Sequence, residues 1–189
     1  NNRGYNNRVS IAAGNDIESD YSPWQSPYMV RLWVEGYFST ASFPMYNYGA
    51  ATGCPTNYPP TEPQNQPNIL PGNCGGGWTQ EDIFDVSFGL HQSLPLPEIY
   101  LSDHTNSQQW YRIGLFSYLK HDLVILFRGV MTQTKACQQL NYPTSCTGAM
   151  NSPASAYYEL KSALDSDPYQ RTGSWVLDWP TDIMMFPWP

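Results

Sequence analysis

The stretch Val9-Ser10-Ile11-Ala12-Ala13-Gly14-Asn15-Asp16-Ile17-Glu18 is a run of small and apolar residues that ends in two carboxylates spaced i, i+2. Alternation along a strand puts Asp16 and Glu18 on one face. The turn-rich Ser19-Asp20-Tyr21-Ser22-Pro23 follows at once, so the acids stand at the carboxyl end of a buried strand. A (β/α) barrel presents a general acid beside a stabilising carboxylate at that end of its strands. The plainer alternative is a polar strand end that caps the next helix.

Outward from this strand, short apolar strands alternate with amphipathic helices. Ser26 caps a helix with Pro27 in its first turn and with Val30, Trp33, Val34 and Tyr37 on one face. Residues 43–49 read as the next strand, and Thr79 then caps a short helix from Gln80 to about Phe88. Leu96 to Leu101 reads as a strand, and a helix over residues 107–121 buries Trp110, Ile113 and Leu119. Leu123 to Val130 is nearly continuous in apolar residues, as a strand covered on both faces should be. Ser152 and Pro153 open a last helix with Leu160 and Leu164 inward, and a last strand lies within residues 174–186.

This rhythm predicts an α/β fold with a parallel sheet under helical cover. Gly75-Gly76-Gly77 lacks the spacing and the following Lys-Ser/Thr of a phosphate cradle, which removes the usual reason for a nucleotide-binding reading. Five strand-helix units can be counted, whereas a closed barrel needs eight and about 250 residues. The 189 residues therefore read as one domain, the later part of a TIM-type (β/α) barrel, preceded elsewhere by its first strands.

Composition points outside the cell. Charged residues make up only 13%, and Tyr, Trp, Asn, Ser and Pro are abundant. A net charge of -7 without a basic patch makes nucleic acid and anionic membranes poor partners. The longest aliphatic run, residues 123–127, is too short to span a bilayer, so no membrane insertion is expected. Cys54 with Cys74 and Cys137 with Cys146 each bracket a segment that cannot pack itself, which predicts two disulfide-closed loops and an extracellular setting. Without a CxxC pair, and with His91, His104 and His121 scattered, no metal or other cofactor is expected.

Taken together in order, "AAGNDIE", "YNYGAATGCP", "GWTQEDIFDVSFG", "LPLPEIY", "QQWYRIGLFSYL" and "GVMTQTKACQQ" resemble a family of secreted bacterial proteins of unknown function with a glycoside-hydrolase-like barrel. More distantly, the chain is similar to the family-25 lysozymes, which also carry Asp-x-Glu at the end of a central strand. The resemblance implies that Glu18 is the proton donor, Asp16 its electrostatic neighbour, and Glu98 of "PEIY" the carboxylate from a later strand. Lysozymes usually place an Asp near that later strand, and Pro97-Glu98 departs from the pattern. The implied reaction is hydrolysis of a glycosidic bond in a cell-wall or extracellular polysaccharide.

Other polar and aromatic residues extend this expectation. Tyr46 and Tyr48 share a strand face and suit a sugar-stacking platform; packing against helices is the alternative. Trp24 and Trp78 lie near strand ends, where they would line a groove, and Gln133 follows the strongest strand, where it would meet a sugar hydroxyl or solvent. Arg128 interrupts an apolar strand and calls for an acid partner. The competing function is a catalytically silent surface protein that binds carbohydrate or packs against copies of itself or against the missing first strands.

Overall fold

Among the described residues, five short strands, each parallel to its neighbour, follow one another in chain order. The computed structural model describes residues 11–19, 26–56, 72–90, 93–140, 146, 150–168 and 177–185; Trp24 and His91 lie outside the described residues. Strands β1 (Ala13–Asn15), β2 (Met45–Asn47) and β3 (Ser93–Pro95) form one sheet, and β4 (Gly129–Thr132) pairs with β5 (Trp179–Asp182) in a second. A parallel bridge between Glu98 and Met131 joins the two.

The helices are α1 (Pro27–Thr40), α2 (Gln80–Phe84), α3 (Thr105–His121), α4 (Thr134–Leu140) and α5 (Pro153–Ser166). The result is a mixed α/β fold with small parallel sheets, and no closed barrel forms among the described residues.

Local chemistry sets the helix starts. Ser26 and Ser152 accept hydrogen bonds from the backbone N–H groups of Met29 and Ser155, and Pro27 and Pro153 follow them where a missing N–H costs nothing. Thr79 and Asp82 close a capping box on α2.

Several expected boundaries move. The helix after Thr79 is α-helical only to Phe84, and Asp85–Gly89 continues as a π-helical turn. The later strands shift too: β3 ends at Pro95, before the whole 96–101 stretch, and β4 begins only at Gly129. Proline supplies the reason. Pro97 has no N–H to donate to the neighbouring strand, so the contact narrows to the Glu98–Met131 bridge and its flanking bonds. Those bonds run from Arg128 N–H to the Pro95 carbonyl (2.8 Å), from Met131 N–H to Pro97 (2.8 Å) and from Ile99 N–H to Met131 (2.9 Å). Helix α4 forms where no helix was expected, its start tied down by Asp182, which accepts from Lys135 N–H at 2.9 Å.

Val34, Met45, Ile83, Ile99, Trp110, Ile113, Phe116, Val130 and Leu160 are buried in one cluster. Trp33, expected on the apolar face of α1, is instead 50% exposed, and Val34 is the buried residue of that helix. Both expected disulfides form, Cys54–Cys74 and Cys137–Cys146. Two such bonds suit an oxidising compartment. No helix among the described residues is long and apolar enough to cross a membrane.

Candidate carboxylate site

Asp16 and Glu18 leave the carboxyl end of β1, and Glu98 lies three residues beyond the end of β3. One oxygen from each of the three carboxylates lies within 4.8 Å of the others. The strand between them explains how. The backbone N–H of Leu96 donates to the carbonyl of Asn47 (2.8 Å) and that of Glu98 to the carbonyl of Gly49 (3.4 Å), while Tyr48 N–H donates to Asn15 (3.0 Å). The exit of β2 therefore holds the exits of β1 and β3 at one level, as parallel strands do.

The three acids differ in burial. Asp16 is exposed, Glu18 half-buried and Glu98 only 3% exposed. Burial pushes the Glu98 carboxyl up to about 8, with the charges of Asp16 and Glu18 and a hydrogen bond to Glu18 adding to the rise; a bond from Tyr100 opposes it. Burial also raises Asp16.

Tyr100 donates its hydroxyl hydrogen to Glu98 Oε1, and Glu98 Oε2 finds no donor while the carboxyl is ionised. A proton on Glu98 removes that deficit and lets it donate to Glu18. At neutral pH the cluster thus keeps a proton that isolated carboxylates would have lost. The spacing of the oxygens is also within reach of one hard cation. The proton held on Glu98 and its hydrogen bond to Glu18 also equip the cluster for proton transfer.

Register places Tyr46 between Gly14 and Leu94 on one sheet face, and two residues further along that face stand Asp16 and Tyr48. The Tyr48 ring lies over Gly14, where a Cβ would come within 2.8 Å of it. Both tyrosines are half-buried beside the carboxylates. Gln133 is half-buried just after β4, its carbonyl accepting from Cys137 N–H.

Trp78 is corrected by the structure: at 1% exposure it is a core side chain and has no face for a ligand. Arg128 forms a half-exposed ion pair with Asp178 at 3.3 Å, and His104 and His121, at the two ends of α3, face Glu159 (3.6 Å) and Glu81 (2.8 Å).

Three contributors were not expected. Tyr100 stands i+2 from Glu98, the same spacing that drew attention to Asp16 and Glu18. Asn47 is a wholly buried amide in β2, and Ser87 meets it from the π-helical turn. A polar residue between two tyrosines in a strand was the available signal for Asn47; nothing in the sequence marks Ser87.

Comparisons with family models, with curated proteins and with solved structures find no match to this chain.

Proposed function

We propose that the chain is the carboxylate-bearing part of a secreted glycoside hydrolase, its five sequential parallel strands forming an arc of a (β/α) barrel. One observation carries the reading: three carboxylates, two from the end of β1 and one from beyond β3, lie within 4.8 Å of one another across the exit of β2, and the buried one retains its proton to about pH 8. Glycosidic bond cleavage needs that pairing, a protonated carboxyl to give the leaving oxygen its hydrogen and an ionised one to support the oxocarbenium-like centre.

Glu98 holds the proton of the cluster and is hydrogen-bonded to Glu18, which puts that proton within reach of the more accessible acid. Glu18, the more accessible of the two, delivers it; Asp16, exposed on the same side, faces the sugar carbon. An oxygen spacing within 4.8 Å falls short of the roughly 6.5 to 9.5 Å of an inverting pair, which favours retention at the anomeric carbon. Tyr46 and Tyr48 supply the sugar-stacking surface.

The test is hydrolysis of peptidoglycan, chitin and plant or microbial glucans by the intact protein, with Glu18→Gln and Glu98→Gln as variants. Turnover should fall by roughly a hundredfold or more in Glu18→Gln, with an initial product of retained configuration by NMR. Activity that survives Glu18→Gln removes the assigned acid.

A second reading, a catalytically silent protein that assembles with copies of itself, is favoured by Tyr28, Met29, Leu32 and Trp33, an exposed apolar stripe along α1. A folded wild-type protein inert on every glycan, with a concentration-dependent mass in solution, would decide for it.

A further inference from the structure

We propose that Asn47 is a positioning residue that holds the Asp16–Glu18 segment in register with Glu98, and that the π-helical turn at Asp85–Gly89 places Ser87 to anchor it. The inference rests on the carboxylate-site reading above.

Asn47 is fully buried and uses both ends of its amide. Oδ1 accepts from the backbone N–H of Ile17 and of Gly49, each at 3.3 Å. Nδ2 donates to Ser87 Oγ at 2.8 Å. Ile17 is the residue between the two acids, so fixing its N–H fixes the peptide on which both carboxylates turn.

Gly49 completes the clamp from the other side. A Cβ there would fall 1.9 Å from the Ile17 carbonyl oxygen, so the two backbones touch only because Gly49 has no side chain. The Gly49 carbonyl in turn accepts from Glu98 N–H, and the Asn47 carbonyl from Leu96 N–H. Residues 47–49 therefore contact the carriers of all three acids. Without the amide, nothing else in this set binds the Ile17 N–H, and the Asp16–Glu18 segment is free to move away from Glu98.

The two backbone donors set which way round the amide sits, and Ser87 anchors its other end. A hydroxyl can accept from Nδ2, and that leaves Oδ1 pointing at the two backbone donors. A regular helix through residues 85–89 would rotate Ser87 away from this line, since a π-turn inserts one residue into the helical repeat.

The test is a carboxyl carbon NMR titration of glutamate-labelled protein for wild type, Asn47→Leu, Asn47→Asp and Ser87→Ala, alongside circular dichroism and glycan hydrolysis. Asp16, Glu18 and Tyr100 are the titratable groups that face Glu98. Asn47→Leu and Ser87→Ala should lower the Glu98 midpoint by about one pH unit or more as the other acids move off. Asn47→Asp keeps both acceptor bonds and should hold the midpoint at or above its wild-type value. Ser87→Ala keeps the test decisive if Asn47→Leu does not fold. A folded Ser87→Ala protein with an unchanged Glu98 midpoint overturns the proposal. A midpoint that falls in a protein inert on every glycan upholds the positioning role and defeats the hydrolase reading instead.

Discussion

The Tyr100 hydroxyl donates to Glu98 Oε1, so the most buried acid of the cluster is held on one side by a neutral donor and on the other by the acidic pair from β1. The two influences oppose each other. Donation to a carboxylate favours its charged form, while burial and neighbouring negative charge favour the neutral one. Tyr100→Phe removes a hydrogen bond that lowers Glu98, and its midpoint should rise above about 8 in a carbon NMR titration. A midpoint that falls would show that Tyr100 does not donate to the ionised carboxyl.

The protonation of Glu98 makes stability depend on pH. Its carboxyl lies at about 8 in the folded protein against an ordinary 4.5, so between those values the folded state binds a proton that the unfolded state has released. Stability from this group is full below about pH 4.5 and is lost as pH rises through about 8, at no more than about 1.4 kcal/mol per pH unit. Asp16, also raised by burial, acts with the same sign. Glu98→Gln should flatten the loss and give a higher Tm than wild type at pH 8 to 9. An equal alkaline loss in that variant would assign the dependence to other groups.

Much of this cluster is legible in the sequence, and its energetics are not. Asp16 and Glu18 stand out because i, i+2 spacing after a small-residue strand puts them on one face, whereas Glu98 is singled out by the family resemblance, as the carboxylate of a later strand. The sequence is silent on their relative burial, which depends on how β2 lies between them. Asn47 reads as one polar residue among aromatics until its amide is seen to bridge Ile17, Gly49 and Ser87. Trp78 shows the opposite failure: a tryptophan near a strand end reads as groove wall, and burial makes it core. The displaced strand at 123–130 has a physical cause also: burial of alternate residues Ile125 and Phe127 gives the apolar run, but Pro97 opposite breaks the ladder.

The two disulfides should differ in what they control. Each closes a short loop and contributes about 3 kcal/mol in the chain-entropy model. Cys54–Cys74 does more, because it fixes the turn Gly75–Gly77 beside the acids. Gly75 N–H donates to the Thr52 carbonyl (3.0 Å), which also accepts from Ser19 Oγ (2.7 Å), and Gly76 packs on the Ser19 carbonyl. Replacing Cys54 and Cys74 by Ser should lower Tm and also shift the Glu98 midpoint. The same change at Cys137 and Cys146 should lower Tm alone. Equal shifts in Glu98 from both pairs would contradict this division.

Gly49 and Gly36 make a paired test of whether close backbone approach builds the site. A methyl at Gly49 meets the Ile17 carbonyl oxygen at 1.9 Å, and that contact is backbone against backbone, which no side-chain rotation relieves. Gly49→Ala must push β1's exit away from β2, and it should cost roughly 3 kcal/mol in denaturant unfolding. Because the displaced segment carries Asp16 and Glu18, the Glu98 midpoint should fall with it. Gly36 lies exposed in α1 with no atom within 4 Å of the added methyl. There the substitution relieves only the conformational freedom of glycine in a helix and should stabilise by about 0.5 to 1 kcal/mol, leaving the Glu98 titration unchanged. If Gly49→Ala is as stable as wild type, the contact between Gly49 and Ile17 is not what holds the acids together, and the positioning of the cluster must come from elsewhere.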